Sequence, residues 1–552
     1  MELLKVKLLS SLDKVFLDEE PTCSYNGKIS VFKNEPFSFQ AAYSADDSVE
    51  DCINFNAYVK CADVTDESCV KVYKTEYVAS EMPTYPKTDD YYLRKTPGLY
   101  PDPLVLMDKE TELRAIPKRW RSIWAEFTPN ENTKAGEHTF EIVFETTSKK
   151  PLGSIDTSVT VIDAMLPEQK LIRTEWFHTD CLCSEYKVEA MSEEYWRIVE
   201  NFASTAAKRG INALLTPIFT PPLDTEVGKE RPTIQLIDVT FKDGKYTFGF
   251  KNLLRWMDMC RRAGIKYLEI SHLFTQWGAE FTPKIMAETE NGIERIFGWD
   301  VKATSDEYRS FMAALMPELT DILSREWGKD NVFFHVSDEP HIQHLDNYNA
   351  AKGIIEPYLD GFKIMDALSD YEFYKNGAVT HPIPSNDHIE KFLENGVEDL
   401  WTYYCCCQHF DVSNRFMAMP SERCRVIAPQ MFKYNIVGFL QLGYNFWYTQ
   451  FSKKQINPYC VTDAGLAFPS GDAFTVYPGA DGKPVESLRL LVMDAAMHDL
   501  RAMQLLESLT SHEYVVSLIE KEQEITFSKY PHSAAWIFNV RERINDEIVK
   551  AL

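Results

Sequence analysis

Residues 308–340 read YRSFMAALMPELTDILSREWGKDNVFFHVSDEP. As far as Gly328 the apolar positions have the period of an amphipathic helix, and NVFFHVSDEP (331–340) then has the apolar run of a buried strand, stopped by Pro340. The same unit recurs after Pro167. The strand-like runs are KLIRTEWFHTD (170–180), INALLTPIF (211–219), IKYLEISHLF (265–274), NVFFHVSDEP, GFKIMDALSD (361–370), EDLWTYYCC (398–406), IVGFLQLGYNFW (436–447) and AFTVYPG (473–479). Helical stretches such as SEEYWRIVENFASTAAKRG (192–210) and FKNLLRWMDMCRRAG (250–264) lie between them, and SLRLLVMDAAMHDLRAMQLLE (487–507) follows the last. Eight strands, each followed by a helix, predict a (β/α)8 TIM barrel over 167–508.

Outside the barrel the pattern changes. Residues 1–166 contain short alternating runs, among them FSFQAAYSA (37–45), INFNAYVKC (53–61) and HTFEIVFET (138–146), separated by turn residues. They predict an N-terminal antiparallel β-sandwich. Within them, 81–117 is rich in Pro and Tyr without a clear period and reads as a long ordered loop. Residues 509–552 read as a C-terminal helical extension packed on the barrel.

The 552 residues carry a net charge of −25, which argues against nucleic-acid binding. No run approaches the ~18 apolar residues of a membrane span. The N-terminal stretch is too charged for a signal peptide. The 12 cysteines include three in a row, Cys405–Cys407, and no C-x-x-C. That pattern suits neither a disulfide framework nor a structural zinc site. Reduced thiols in a cytoplasm are expected, with Cys405–Cys407 packed in the core. A homodimer is compatible with the sequence. Aromatic residues make up 13% of the chain, which suits large aromatic cores and also stacking on a ligand.

In such a barrel the active site lies at the C-terminal ends of the strands. Those ends carry Glu175, His178 and Asp180; Glu269, His272 and Trp277; Asp338 and Glu339; Asp366 and Asp370; Tyr403 and Tyr404; Asn445 and Trp447. Carboxylates, histidines and aromatic planes at one mouth fit a carbohydrate site. Asp338 and Glu339 are the catalytic candidates. A buried adjacent pair should split, one ionised and one protonated near neutral pH. His178, His272, Trp277, Tyr403, Tyr404, Asn445 and Trp447 are candidates for substrate binding. No H-x-H or H-E-x-x-H spacing supports a metal, and no cofactor is expected. Retaining glycosidases usually need a second carboxylate about 5–5.5 Å from the first. The run IVGFLQLGYNFW supplies none. A substrate whose own 2-acetamido group attacks the anomeric carbon needs one carboxylate to hold the amide N–H and another to protonate the leaving oxygen.

The stretches WFHTDCL, RGINALLTPIFTPPLDT, HLFTQWGAEFTPKI, HVSDEP, DALSDYEFY, LWTYYCC and VYPGADGKPVESLRL resemble glycoside hydrolase family 123. The resemblance implies an exo-acting, retaining β-N-acetylgalactosaminidase. Asp338 would stabilise the acetamido group and Glu339 would be the general acid/base. The implied partner is a glycan or glycolipid with a terminal 2-acetamido sugar. Leu442 stands where related sequences often have Trp. Two alternatives stay open, a hexosaminidase preferring N-acetylglucosamine and a catalytically silent carbohydrate-binding barrel.

Overall fold

A computed structural model describes residues 3–64 and 66–552. Ten strands come first: β1 (Leu4–Ser10), β2 (Ser30–Phe32), β3 (Phe37–Ala45), β4 (Ile53–Cys61), β5 (Val70–Ser80), β6 (Gly98–Leu106), β7 (Leu113–Ala115), β8 (Arg121–Phe127), β9 (Gly136–Thr146) and β10 (Pro151–Ile162). They form two sheets, largely antiparallel, with β1-β3-β8-β5-β6 in one and β2-β10-β9-β4-β7 in the other. Phe37, Phe39, Phe55, Phe127, Phe140 and Phe144 fill the space between them. Phe37 and Phe39 come from β3 and Phe140 and Phe144 from β9, an even step apart in each strand because every second side chain faces the same way, and β4 and β8 add Phe55 and Phe127.

The segment 81–117, expected as a loop, contains β6 and β7. Pro101 and Pro103 hide β6 from a sequence reading, since proline is unusual inside a sheet. A register shift between Thr75 and Tyr77 accommodates the pairing of β6 with β5.

The second region is mixed α/β. Its parallel strands are β11 (Ile172–Glu175), β12 (Ala213–Thr216), β15 (Tyr267–Ile270), β18 (Val332–Phe334), β19 (Lys363–Ala367), β20 (His381–Ile383), β21 (Trp401–Tyr403) and β22 (Gly438–Gln441). Two hairpins intervene, β13 (Asp238–Lys242) with β14 (Lys245–Gly249), and β16 (Ile285–Thr289) with β17 (Gly292–Phe297). The eight strands run in the order β20-β19-β18-β15-β12-β11-β22-β21. Their outer edges meet through a single bridge, Ser385 to Tyr403, so the barrel is nearly closed. Inside it, Trp401 lies over Gly438, where a β-carbon would sit 1.9 Å from the indole.

Helices separate the strands: α1 (Thr179–Tyr186), α2 (Glu193–Lys208), α3 (Lys251–Ala263), α4 (Asp306–Glu326), α5 (Leu345–Ile355), α6 (Tyr371–Lys375), α7 (Glu390–Glu394), α8 (Ser421–Arg425), α9 (Ile427–Lys433) and α10 (Leu488–Leu509). In α4, Ser305 caps the Tyr308 amide and Asp306 and Glu307 occupy the positive end. Its buried face is Tyr308, Phe311, Met312, Leu315, Leu319 and Leu323.

One strand assignment is corrected. AFTVYPG is not a barrel strand. Its residues form β23 (Val476–Pro478), which pairs with β24 (Pro484–Ser487) and through it with β6 of the first sheet. The missing barrel strand is β20, three residues too short to show a period. Buried ion pairs fasten the same junction. Arg209 contacts Glu126 at 2.6 Å and Asp494 at 3.0 Å, and Arg489 contacts Asp102 at 2.8 Å. The last helices, α11 (His512–Ile519) and α12 (Ala534–Ala551), put Ile519, Trp536 and Phe538 into a core shared with α8–α10.

Candidate active site

At the C-terminal ends of the parallel strands lies a cavity of about 270 Å³. Asp338 and Glu339 follow β18, Trp176 follows β11, Asp224 follows β12, and Gln276 and Trp277 follow β15. Tyr403 ends β21 and Cys405–Cys407 follow it, Leu440 lies in β22 and Leu442 just after it, and Gln450, Phe451 and Phe468 come from the long segment before β23.

Asp338 and Glu339 both line this cavity because β18 ends at Phe334 and the chain turns before Pro340. Glu339 has φ 43°, a left-handed conformation rare for a residue with a β-carbon. Asp224, Trp277 and Phe451 share that region, at φ 39°, 59° and 61°. Strained backbone at one cavity is a mark of sites held in a working geometry. The turn is stitched to its neighbour. The Ser337 hydroxyl donates to the Thr275 carbonyl (3.0 Å) and accepts from the Gly278 amide (3.1 Å), and the Trp277 amide donates to the Asp338 carbonyl (3.0 Å). Trp277 is thereby held at the rim, 39% exposed, edge-on to Phe451.

The two carboxylates differ in their partners. Glu339 Oε1 accepts the Tyr403 hydroxyl at 2.6 Å. Among the described residues no donor reaches the Asp338 carboxylate. Burial raises the pKa of both, and for Asp338 the neighbouring Glu339 charge adds to it. They titrate as one unit, whose proton goes to the member with fewer donors. Burial also pushes Asp224 up to about 6, although the Phe451 amide donates to it at 2.9 Å.

A second layer lies close by. His335 Nε2 meets Glu269 at 2.7 Å and Nδ1 meets Asp366 at 3.1 Å. Burial alone would lower its pKa, but these two bonds outweigh it and push it up to about 10. The resulting imidazolium favours the ionised form of Asp338. Trp176 Nε1 donates to Glu269 at 2.7 Å and the Tyr348 hydroxyl to Asp366 at 2.5 Å, which fixes the layer.

A model described as the glycoside hydrolase 123 catalytic domain matches residues 176–506. The chain belongs to glycoside hydrolase family 123. Its fold is similar to that of a family 123 glycoside hydrolase from Clostridium perfringens, with a TM-score of 0.76 and 13% identity over 100% of this chain and 98% of that one. A β-glucuronidase from Bacteroides uniformis is far less similar, with a TM-score of 0.31 and 9% identity over 91% and 50% of the two chains. A family 5 mannosidase from Rhizomucor miehei gives 0.32 and 11% over 60% and 93%. No curated protein matches the chain. Among the described residues no helix is long and apolar enough to cross a membrane.

In this family 123 enzyme the cavity brings together four of the residues expected there: Asp338, Glu339, Trp277 and Tyr403. It does not bring in the other five. Tyr404, the neighbour of Tyr403 on the opposite face, packs on Phe439 in the core. Trp447 is fully buried beside Phe202, its indole N–H on the Val476 carbonyl (3.1 Å). Asn445 clasps the backbone of His178 through both ends of its amide, at 2.8 and 3.0 Å. His178 itself is buried, its ring held between the Leu442 carbonyl (3.0 Å) and Arg231 (3.0 Å). Burial and Arg231 keep it neutral, with a pKa of about 3. His272 stacks on His335 with ring centres 4.3 Å apart, and neither of its ring nitrogens has a partner. Beside an imidazolium and out of water it too is held neutral.

Of these buried groups, His178 is tied to a loop through Arg231. Arg231 forms two bonds to Asp180 (2.7 and 2.9 Å), and this clamp ties down the segment after β12 that carries Asp224. Asp224, Gln276, Phe451 and Phe468 escaped the sequence reading because they lie in long irregular segments with no period to follow. Two of them lie in stretches that carry the family resemblance, Asp224 in TPPLDT and Gln276 in HLFTQWGAEFTPKI. Cys405–Cys407, expected in the core, instead form part of the cavity wall. The chain leaves β21 at Tyr403, so its in-out alternation no longer governs them.

Proposed function

We propose that this glycoside hydrolase releases terminal β-linked N-acetylgalactosamine from glycans, with retention, through an oxazolinium intermediate. The observation that carries this reading is the Asp338 carboxylate, which lies in the cavity beside Glu339 without a donor of its own. An acetamido N–H supplies that donor. The bond favours ionised Asp338 and leaves the shared proton on Glu339. The acetamido carbonyl oxygen attacks the anomeric carbon while Glu339 protonates the departing oxygen. Glu339 then takes a proton from the water that opens the oxazolinium. Trp277 at the rim offers a ring face to the apolar side of a sugar. The galacto preference follows the family resemblance. The similar Clostridium perfringens structure is described for glycolipid glycan hydrolysis, which makes glycolipid glycans the first substrates to try.

Asp224 favours a second reading. As a third carboxylate in the cavity it could attack the anomeric carbon directly. Turnover of matched aryl β-glycosides separates the two. Assistance by the substrate requires the 2-acetamido galactoside to be hydrolysed and the 2-hydroxy galactoside to be nearly inert. Comparable turnover of both would transfer the nucleophile's role to Asp224. A thiazoline that mimics the oxazoline should inhibit competitively in the first case only.

A further inference from the structure

The wall formed by Cys405, Cys406 and Cys407 has no part in the chemistry above. Their sulfur atoms all lie within 4.8 Å of one another, and Cys406 and Cys407 are 3.9 Å apart. A Zn–S bond of about 2.3 Å sets the sulfurs of a tetrahedral site about 3.8 Å apart. The three sulfurs thus stand near the spacing of one face of such a site. They are too far apart for a disulfide, which needs about 2.05 Å, and all three are free.

The turn that holds them is built from fixed bonds. The Asn414 amide donates to the Cys405 and Gln408 carbonyls, both at 2.8 Å. Gln408 Oε1 accepts the Cys405 amide at 2.9 Å, and its Nε2 donates to Asp387 at 3.0 Å. The electrostatic surroundings are acidic. Glu339 and Asp224 line the same cavity as the three cysteines. Asp472 Oδ2 is buried without a partner. Sulfurs gathered among carboxylates favour a cation, and soft thiolate donors select Zn²⁺ or Cu⁺ over hard ions.

We propose that Cys405, Cys406 and Cys407 together bind one thiophilic cation of the Zn²⁺ class in the cavity wall, and that the bound ion closes the cavity to glycan. Each thiol releases its proton to solvent as its sulfur–metal bond forms, and Cys405 gives up its bond to Gln408, now 3.3 Å. Closure rests on the reading of this cavity as the glycan site, whereas binding does not.

The test uses the full-length, reduced, chelator-stripped protein, with Co²⁺ as the spectroscopic probe and Zn²⁺ as competitor. A thiolate-to-cobalt charge-transfer band should saturate at about one equivalent and be displaced by Zn²⁺. Aryl-glycoside turnover should fall about tenfold or more in step with Zn²⁺ binding and recover with chelator. The triple variant C405S/C406S/C407S should lose both the band and the inhibition. If that variant does not fold, Cys407→Ser alone, at the exposed thiol, should weaken cobalt binding at least about tenfold. A wild-type protein with no band, or a band that survives in the triple variant, overturns the site. A saturated band with unchanged turnover overturns the closure. The band needs no substrate, so a chain inactive on every acetamido-glycoside sinks the functional reading and leaves the metal result to be judged by itself.

Discussion

The barrel holds two sets of carboxylates that the chain treats in opposite ways. Glu175 contacts Arg173 at 2.5 Å and Arg415 at 2.7 Å, and Asp180 is clamped by Arg231. Burial would raise their pKa values, but the guanidinium groups outweigh it and both are lowered. Asp338, Glu339 and Asp224 line the cavity and are only partly shielded from water; among the described residues no arginine lies within ion-pair distance of them, and all three are raised by burial. Paired carboxylates hold loops and strands in place. Unpaired ones are costly to bury and available for proton transfer. Glu175, Asp180, Asp338 and Glu339 all follow apolar runs in the sequence, and only their partners in the fold separate the structural anions from the titrating pair.

The largest expected effect is on the unpaired set. Glu339→Gln should lower kcat/KM about 10²–10⁴-fold for substrates with poor leaving groups and much less for activated aryl glycosides. Its melting temperature should stay close to that of the parent. Azide should accelerate Glu339→Ala with an activated substrate and give the β-azide. If azide rescues Asp338→Ala instead, the roles within the pair are reversed.

The paired set should behave in the opposite way. Arg415→Met leaves Glu175 buried with one partner fewer and should cost about 3–5 kcal/mol in denaturant unfolding. An Arg415→Met protein of unchanged stability but low activity would erase the contrast between the two sets.

His335 sharpens the comparison through pH. Its pKa is about 10 in the folded chain and ordinarily near 6.5 when unfolded. The bound proton therefore stabilises the fold fully below about pH 6.5, and that stability is lost as pH rises through about 10. On the order of a few kcal/mol is at stake. Denaturation midpoints of the parent should fall across this window more steeply than those of His335→Gln. Parallel slopes would mean that His335 is not doubly bonded as drawn.

The smallest effect concerns the tyrosines. Tyr403→Phe should cost roughly tenfold in kcat/KM, the worth of one hydrogen bond to an ionised group. Because that bond lowers the pKa of Glu339, its removal should move the basic limb of the rate profile to higher pH. Tyr404→Phe should leave the profile where it is. A shift with Tyr404→Phe would show that the wrong neighbour had been placed in the cavity.

The alternation of strands and helices after Pro167, the antiparallel sheets before it and the pair after VFF were legible in the chain, because period and turn chemistry are local properties. Seven of the eight barrel strands could be read from apolar runs. The eighth, HPI at 381–383, is too short to carry a signal, and AFTVYPG carries a strand signal that belongs to the other sheet. A run of residues specifies that a strand forms, not which edge it joins.

For the site, the sequence determined which chemistry is on offer: adjacent carboxylates, no carboxylate on the last barrel strand, and aromatic residues at the strand ends. Tertiary structure decided which of those groups meet. It gave His178, Asn445 and Trp447 to packing, kept Tyr403 and turned Tyr404 away, and brought in Asp224, Phe451 and Cys405–Cys407 from irregular segments. The physical reason is that ionisation and exposure depend on neighbours distant in the chain. An arginine from another strand turns a carboxylate into a structural anion, and the lack of one leaves it free to hold a proton.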